Sequence, residues 1–96
     1  MLLEKPIKPG NTISIKLTSG EEVLGSYVED NDSALVIEKP ATISATPDGK
    51  MGIIPWMMTS RTNKVSLNRN TVVAFAITED EIGKAYTQAT TDIKLV

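Results

Sequence analysis

Apolar and polar positions alternate along most of the chain, and the alternation breaks at short polar or glycine-bearing stretches. From Thr12 to Leu17, Ile13, Ile15 and Leu17 share one face and Ser14 and Lys16 the other, the period of two that a half-buried strand requires. Ser19-Gly20 predicts a turn. Glu22 to Glu29 then sets Val23, Gly25 and Tyr27 against Leu24, Ser26 and Val28, a second strand with apolar residues on both faces. Gly25 weakens that strand unless it bends sharply or is closely approached, so its presence predicts a curled sheet.

Asp30-Asn31-Asp32-Ser33 reads as the next turn, and Ala34 to Ile37 begins a third strand that Pro40 can interrupt and Thr42, Ile43 and Ser44 resume. Pro47-Asp48-Gly49 predicts a hairpin tip, because proline presets φ and glycine supplies a positive one. Met51 to Met58 is expected as a fourth strand, placed at an edge or bulge by Pro55, which has no N–H for a ladder. After a polar break at Thr59 to Asn63, Lys64 to Leu67 is a short continuation, and Thr71 to Ile77 is expected as a last, well-buried strand. The period then changes. Thr78 followed by Glu81 predicts a capping box, Glu79 and Asp80 suit a helix N-terminus, and Ile82, Ala85, Tyr86 and Ala89 recur at helical spacing. The expected architecture is mostly β: a five-stranded, strongly bent antiparallel sheet over about residues 12–77, with a C-terminal helix over about 79–90.

Ninety-six residues make one small domain, expected to span 1–96, and a chain this short gains stability by self-association. It contains no cysteine, which excludes disulfides and thiolate metal sites, and no histidine, which removes the commonest general base and metal ligand. No enzyme, cofactor or metal is expected. Asp30, Asp32 and Ser33 resemble the start of a calcium loop, but Leu35 and Ala41 stand where its glycine and final glutamate belong. Helix capping accounts for the acidic run Glu79, Asp80 and Glu81 without catalysis. The N-terminal Met1-Leu2-Leu3 is interrupted at once by charge and proline, and no later apolar run reaches the ~20 residues of a membrane span, so a cytoplasmic protein is expected. A net charge of −2 provides no overall field for nucleic acid.

The residues Ile13 to Leu17, Ser19-Gly20, Glu22-Val23-Leu24-Gly25, Asp30 and Leu35-Val36-Ile37 follow one another as an alternating strand, a Ser-Gly turn, a glycine-bearing strand, an acidic turn and an aliphatic strand. This order resembles the first motif of the Sm-like (LSm/Hfq-like) family, and Leu67, Arg69-Asn70 and Val72-Val73 resemble its second. The likeness covers about half the chain and is similar to divergent branches such as the Sm-like proteins of cyanobacterial phages, for which the compartment would be the host cytoplasm. It implies a small bent barrel that assembles into a closed ring, of about five to seven subunits, and that binds single-stranded RNA as a chaperone or processing module. The family's helix precedes its first strand, whereas Pro6, Pro9 and Gly10 disfavour a helix in Met1 to Asn11, so here the helix is expected to have moved to the C-terminus.

The resemblance implies an RNA site at Asp32, Ser33, Asn68, Arg69 and Asn70. Ala34 falls where the family reads a base edge and has neither donor nor acceptor to do so. Arg61, Lys64 and Arg69 concentrate positive charge locally, and a ring would either repeat them into a phosphate funnel or leave them as solvated loop charges. Ile53, Ile54, Trp56, Met57 and Met58, with Val72, Val73 and Phe75, form two apolar edge segments expected to meet between subunits. An RNA-binding ring and a structural ring that binds only protein partners are the two functions this pattern allows.

Overall fold

Thr12–Leu17 forms strand β1 and Glu22–Asp30 strand β2. In the turn between them Gly20 takes a φ of 90° and donates its N–H to the Leu17 carbonyl at 2.8 Å. The positive φ is why glycine stands there. The antiparallel register sets Ile13 opposite Gly25 and Ile15 opposite Val23. The structure is a computed structural model that describes residues 6–92.

Strand β3, Ala34–Ala45, is continuous through Pro40 but bends at Lys39, whose φ is 52°. That bend divides its partners. Its first half pairs with β5 (Lys64–Asn68), matching Leu35 to Leu67 and Ile37 to Val65, and its second with β4 (Met51–Pro55), matching Ile43 to Ile53. The fourth strand therefore ends at Pro55 and not at Met58. The Trp56 N–H turns back to the Pro40 carbonyl at 3.0 Å, and the Lys39 N–H donates to the Asn63 carbonyl at 2.7 Å, so residues 56–63 form a loop held against the bend. The expected short continuation after the loop is a full strand, and the sheet has six strands where the split fourth is counted twice.

A 3-10 turn at Arg69–Thr71 leads into β6, Val72–Ile77, which pairs with β1 with Ile15 opposite Phe75. The order is β4-β3-β2-β1-β6, with β5 also on β3. Among the described residues no strand closes β6 onto β4 or β5, so the sheet is open.

Both faces of the sheet are used. One buries Ile13, Ile15, Leu17, Val23, Leu35, Ile37 and Leu67 in the main core. On the other, Leu24 and Ala41 lie beneath the helix α1, Asp80–Asp92, which contributes a buried Tyr86 and half-buried Ile82. This explains the apolar residues on both sides of β2. Gly25 is needed for packing: a Cβ there would lie 2.6 Å from Ile37 Cδ1.

Two local expectations change. The helix cap is Glu79, not Thr78: its carboxylate accepts the N–H groups of Glu81 at 2.9 Å and Ile82 at 3.3 Å. The buried Thr78 hydroxyl instead meets Ser14 Oγ at 2.8 Å, tying the chain to β1 before the helix begins. Ala85, expected on the docking stripe, faces solvent. The second change is at β6, where none of the six residues is fully buried although all are apolar. As an edge strand it has a neighbour on one side only: Val72 and Phe75 pack against the main core, while Val73, Ala74, Ala76 and Ile77 are exposed.

Candidate functional site

The acidic turn after β2 and the 3-10 turn before β6 are brought together by the β3–β5 register, which sets Ala34 opposite Asn68. The Asn31 side-chain oxygen accepts the N–H groups of Ser33 at 2.8 Å and Ala34 at 3.0 Å, an Asx turn that orders the first loop. In the second, the Asn68 side-chain oxygen accepts the Asn70 N–H at 2.9 Å, while the Arg69 N–H crosses to the Ser33 carbonyl at 3.1 Å. Asp32, Ser33, Asn68, Arg69 and Asn70 thus share one end of the sheet.

The Arg69 side chain is fixed from two sides. Its Nε lies 3.1 Å from Asp30 Oδ1, and its Cζ is 5.6 Å from the centroid of the Phe75 ring, which in turn stacks on Tyr27 at 6.3 Å and 24°. A guanidinium held at Nε over an aromatic face keeps its outer N–H groups in a defined direction. The same contact places a carboxylate against it, and Asp32 is exposed in the same turn.

Lys64 and Arg61 do not join this group. Lys64 opens β5, four residues from Asn68, which along a strand is about 13 Å. Arg61 lies further back in the 56–63 loop. The three cations therefore sit on three different segments: the 56–63 loop, the start of β5 and the 3-10 turn after it.

The apolar edge residues divide in a similar way. Ile53 packs under α1, and Trp56 packs on the domain's own main core with its Nε1 donating to Glu21 Oε2 at 2.8 Å. Both are engaged within the chain. Ile54, Met57 and Met58 are exposed and line a groove of about 300 Å³ with Pro40 and Ala89. On the opposite edge Val72 and Phe75 are half-buried, Val73 is 62% exposed and Ile77 48%. The sequence did not point to Ile77 as part of the subunit edge or to Asp30 as a partner of Arg69. No sequence signal joins Asp30 to Arg69, because their contact depends on how β3 and β5 pair.

Among the described residues no three carboxylates gather into a metal site, and no helix is long and apolar enough to cross a membrane. Among the described residues the one strongly perturbed group is the Tyr86 phenol, which burial pushes well above its usual pKa. It donates to the carbonyls of Lys39 at 2.7 Å and Glu38 at 3.2 Å, a structural use of the group.

These features define a class: a small open antiparallel β domain, backed by one helix, with two polar turns joined at one end. A family model for the Sm-like domain matches residues 14–87, about three quarters of the chain, and the chain belongs to the Sm-like family. The match runs from β1 into α1, so the C-terminal helix lies largely inside it. No curated protein matches the chain.

Proposed function

We propose that the protein is one subunit of a closed homo-oligomeric ring, of about five to seven copies, that binds single-stranded RNA weakly at the Arg69 end of the sheet. The observation that carries the ring is β6: an apolar strand, paired on one edge only, with Val73 and Ile77 exposed. An open edge of this kind templates pairing with another chain unless it is covered. The acceptor is β5 of the next subunit. That strand has no proline, and Val65 and Leu67 alternate toward the main core, so a β6 laid beside it extends the same apolar row. β4 is the weaker choice, since Pro55 lacks an N–H and Ile53 is turned to the helix. Head-to-tail addition of one strand to the next subunit closes a ring and leaves no free ladder.

RNA binding rests on Arg69, whose charge the ring repeats around one opening. The asparagine turns at Asn68 and Asn70 flank it, and Asp32 and Ser33 border it. With no base-edge reader at Ala34, contact is through phosphate and stacking, so affinity falls steeply with salt and differs little between bases. The protein works by binding, without a cofactor. The Asp30 carboxylate on Arg69 and the exposed Asp32 favour a second reading, in which the ring binds protein partners and no nucleic acid.

Light scattering behind size exclusion tests the ring: the parent elutes as a single oligomer and Val73→Glu as a monomer. A monomeric parent at micromolar concentration refutes the ring. Fluorescence anisotropy with oligo-U and oligo-A at low salt tests the site, with Arg69→Ala expected to lose most of the binding. If the parent binds neither, the protein-scaffold reading replaces the RNA one.

A further inference from the structure

Arginine binds carboxylates and phosphates through the same N–H donors, so the Asp30 carboxylate on Arg69 occupies part of what a phosphate would use. Asp30 Oδ1 takes Nε at 3.1 Å, and the Arg69 and Asp30 side chains are 34% and 27% exposed, so solvent screens the pair only in part. The other ion pair among the described residues, Lys16 with Glu22, is longer at 3.5 Å and about half exposed on both sides, as an ordinary surface pair is.

Both partners are fixed by their backbones before they meet. Asp30 ends β2 opposite Leu35, and the turn after it is closed by the Asn31 N–H on the Ala34 carbonyl at 2.9 Å and by the two bonds to the Asn31 side chain. Arg69 is held through its own N–H on the Ser33 carbonyl, by the Asn68 cap on its turn, and by the Phe75 ring. Little freedom is lost when the pair forms, so it persists where a freely moving surface pair would open. Because Phe75 also holds the guanidinium, Asp30 supplies negative charge more than orientation.

We propose that Asp30 is a built-in competitor at the Arg69 site, an autoinhibitory carboxylate that keeps phosphate binding weak. An arriving phosphodiester meets a guanidinium already paired and a like charge beside it, and a ring repeats the carboxylate with every arginine. This is a regulation of the site proposed above and rests on the RNA reading.

Asp30→Asn tests it, because asparagine retains an oxygen for the Arg69 Nε–H and removes only the charge. In fluorescence anisotropy with oligo-U at low salt, Asp30→Asn is expected to bind about three- to ten-fold tighter than the parent, the size of one charge pair near a protein surface, with the gain shrinking as salt is added. Glu29→Gln removes the same charge from the neighbouring residue, which alternates to the other face of β2, and is expected to change little. In the Arg69→Ala background, Asp30→Asn is expected to give no gain. An unchanged or weaker Asp30→Asn overturns the proposal, since Asp30 would then be a positioning group or a bystander. An equal gain in Glu29→Gln, or the same gain without Arg69, also overturns it, since the effect would be one of net charge alone. Where the parent binds oligo-U and loses it with Arg69→Ala, these failures belong to the proposal alone. If neither the parent nor Asp30→Asn binds, the RNA reading fails and the proposal falls with it.

Discussion

Removing only the hydroxyl of Tyr86 separates its hydrogen bonds from its packing. The side chain is 3% exposed, and its phenol donates to the Lys39 and Glu38 carbonyls on either side of the point where β3 bends. Tyr86→Phe keeps the ring against Leu24 and Ala41 but leaves these carbonyls without that donor. The cost is about 1–2 kcal/mol, the usual penalty for an unsatisfied buried partner. For a domain of this size that lowers Tm by roughly 5 to 15 °C at fixed protein concentration. Alkaline titration adds a second signature. Burial raises the folded-state pKa of Tyr86 above the unfolded value near 10, so above that pH the unfolded chain releases a proton that the folded chain retains. The stabilisation is therefore complete below pH ~10 and declines as pH rises beyond it. Tyr86→Phe lacks this term, and the two melting curves should approach each other on the alkaline side. Calorimetry of both proteins from pH 7 to 11, with Tyr27→Phe as control, measures both effects. Melting of Tyr86→Phe within a degree of the parent throughout would show that the phenol does not anchor the helix.

Three further substitutions probe the backbone. At Lys39, whose φ is 52°, a β-branched Lys39→Val should cost about 1–2 kcal/mol while Lys39→Gly is neutral or stabilising in urea titration; equal losses would mean that the lysine side chain, not the backbone, holds the bend. Gly25→Ala forces a methyl to 2.6 Å from Ile37 Cδ1 and should cost about 1–3 kcal/mol, and a pairing Ile37→Val should recover part of it. Glu79→Ala removes the cap of α1 and should cost about 0.5–2 kcal/mol, whereas Glu81→Ala, the residue of the expected capping box, should cost less; the reverse order in thermal melts would restore Thr78 as the cap.

What could be read from the chain was the part governed by local spacing. The alternation in Ile13 to Leu17 and Val23 to Val28, the turns at Ser19-Gly20 and Pro47-Asp48-Gly49, and the change of period at Thr78 each depend on residues a few positions apart, so strands, turns and helix were visible without a partner. Gly25 announced a close approach, though not that Ile37 would make it. The first motif was legible for the same reason, since it is local in sequence.

Register and burial are long-range, and only the tertiary structure decided them. Glu79 replaced Thr78 as the cap because Ser14, 64 residues away, claimed the threonine hydroxyl. Trp56 left the edge because the bend at Lys39 placed the Pro40 carbonyl where it could accept the Trp56 backbone N–H, with the indole ring packed on the core. Arg61, Lys64 and Arg69, close in sequence, were drawn apart by the extended strand between them, while Asp30 and Arg69, far apart, met across β3. The last strand looked buried because its residues are apolar. It is an edge, and what an apolar edge lacks on its free side is a property of the folded sheet, which no window of sequence contains.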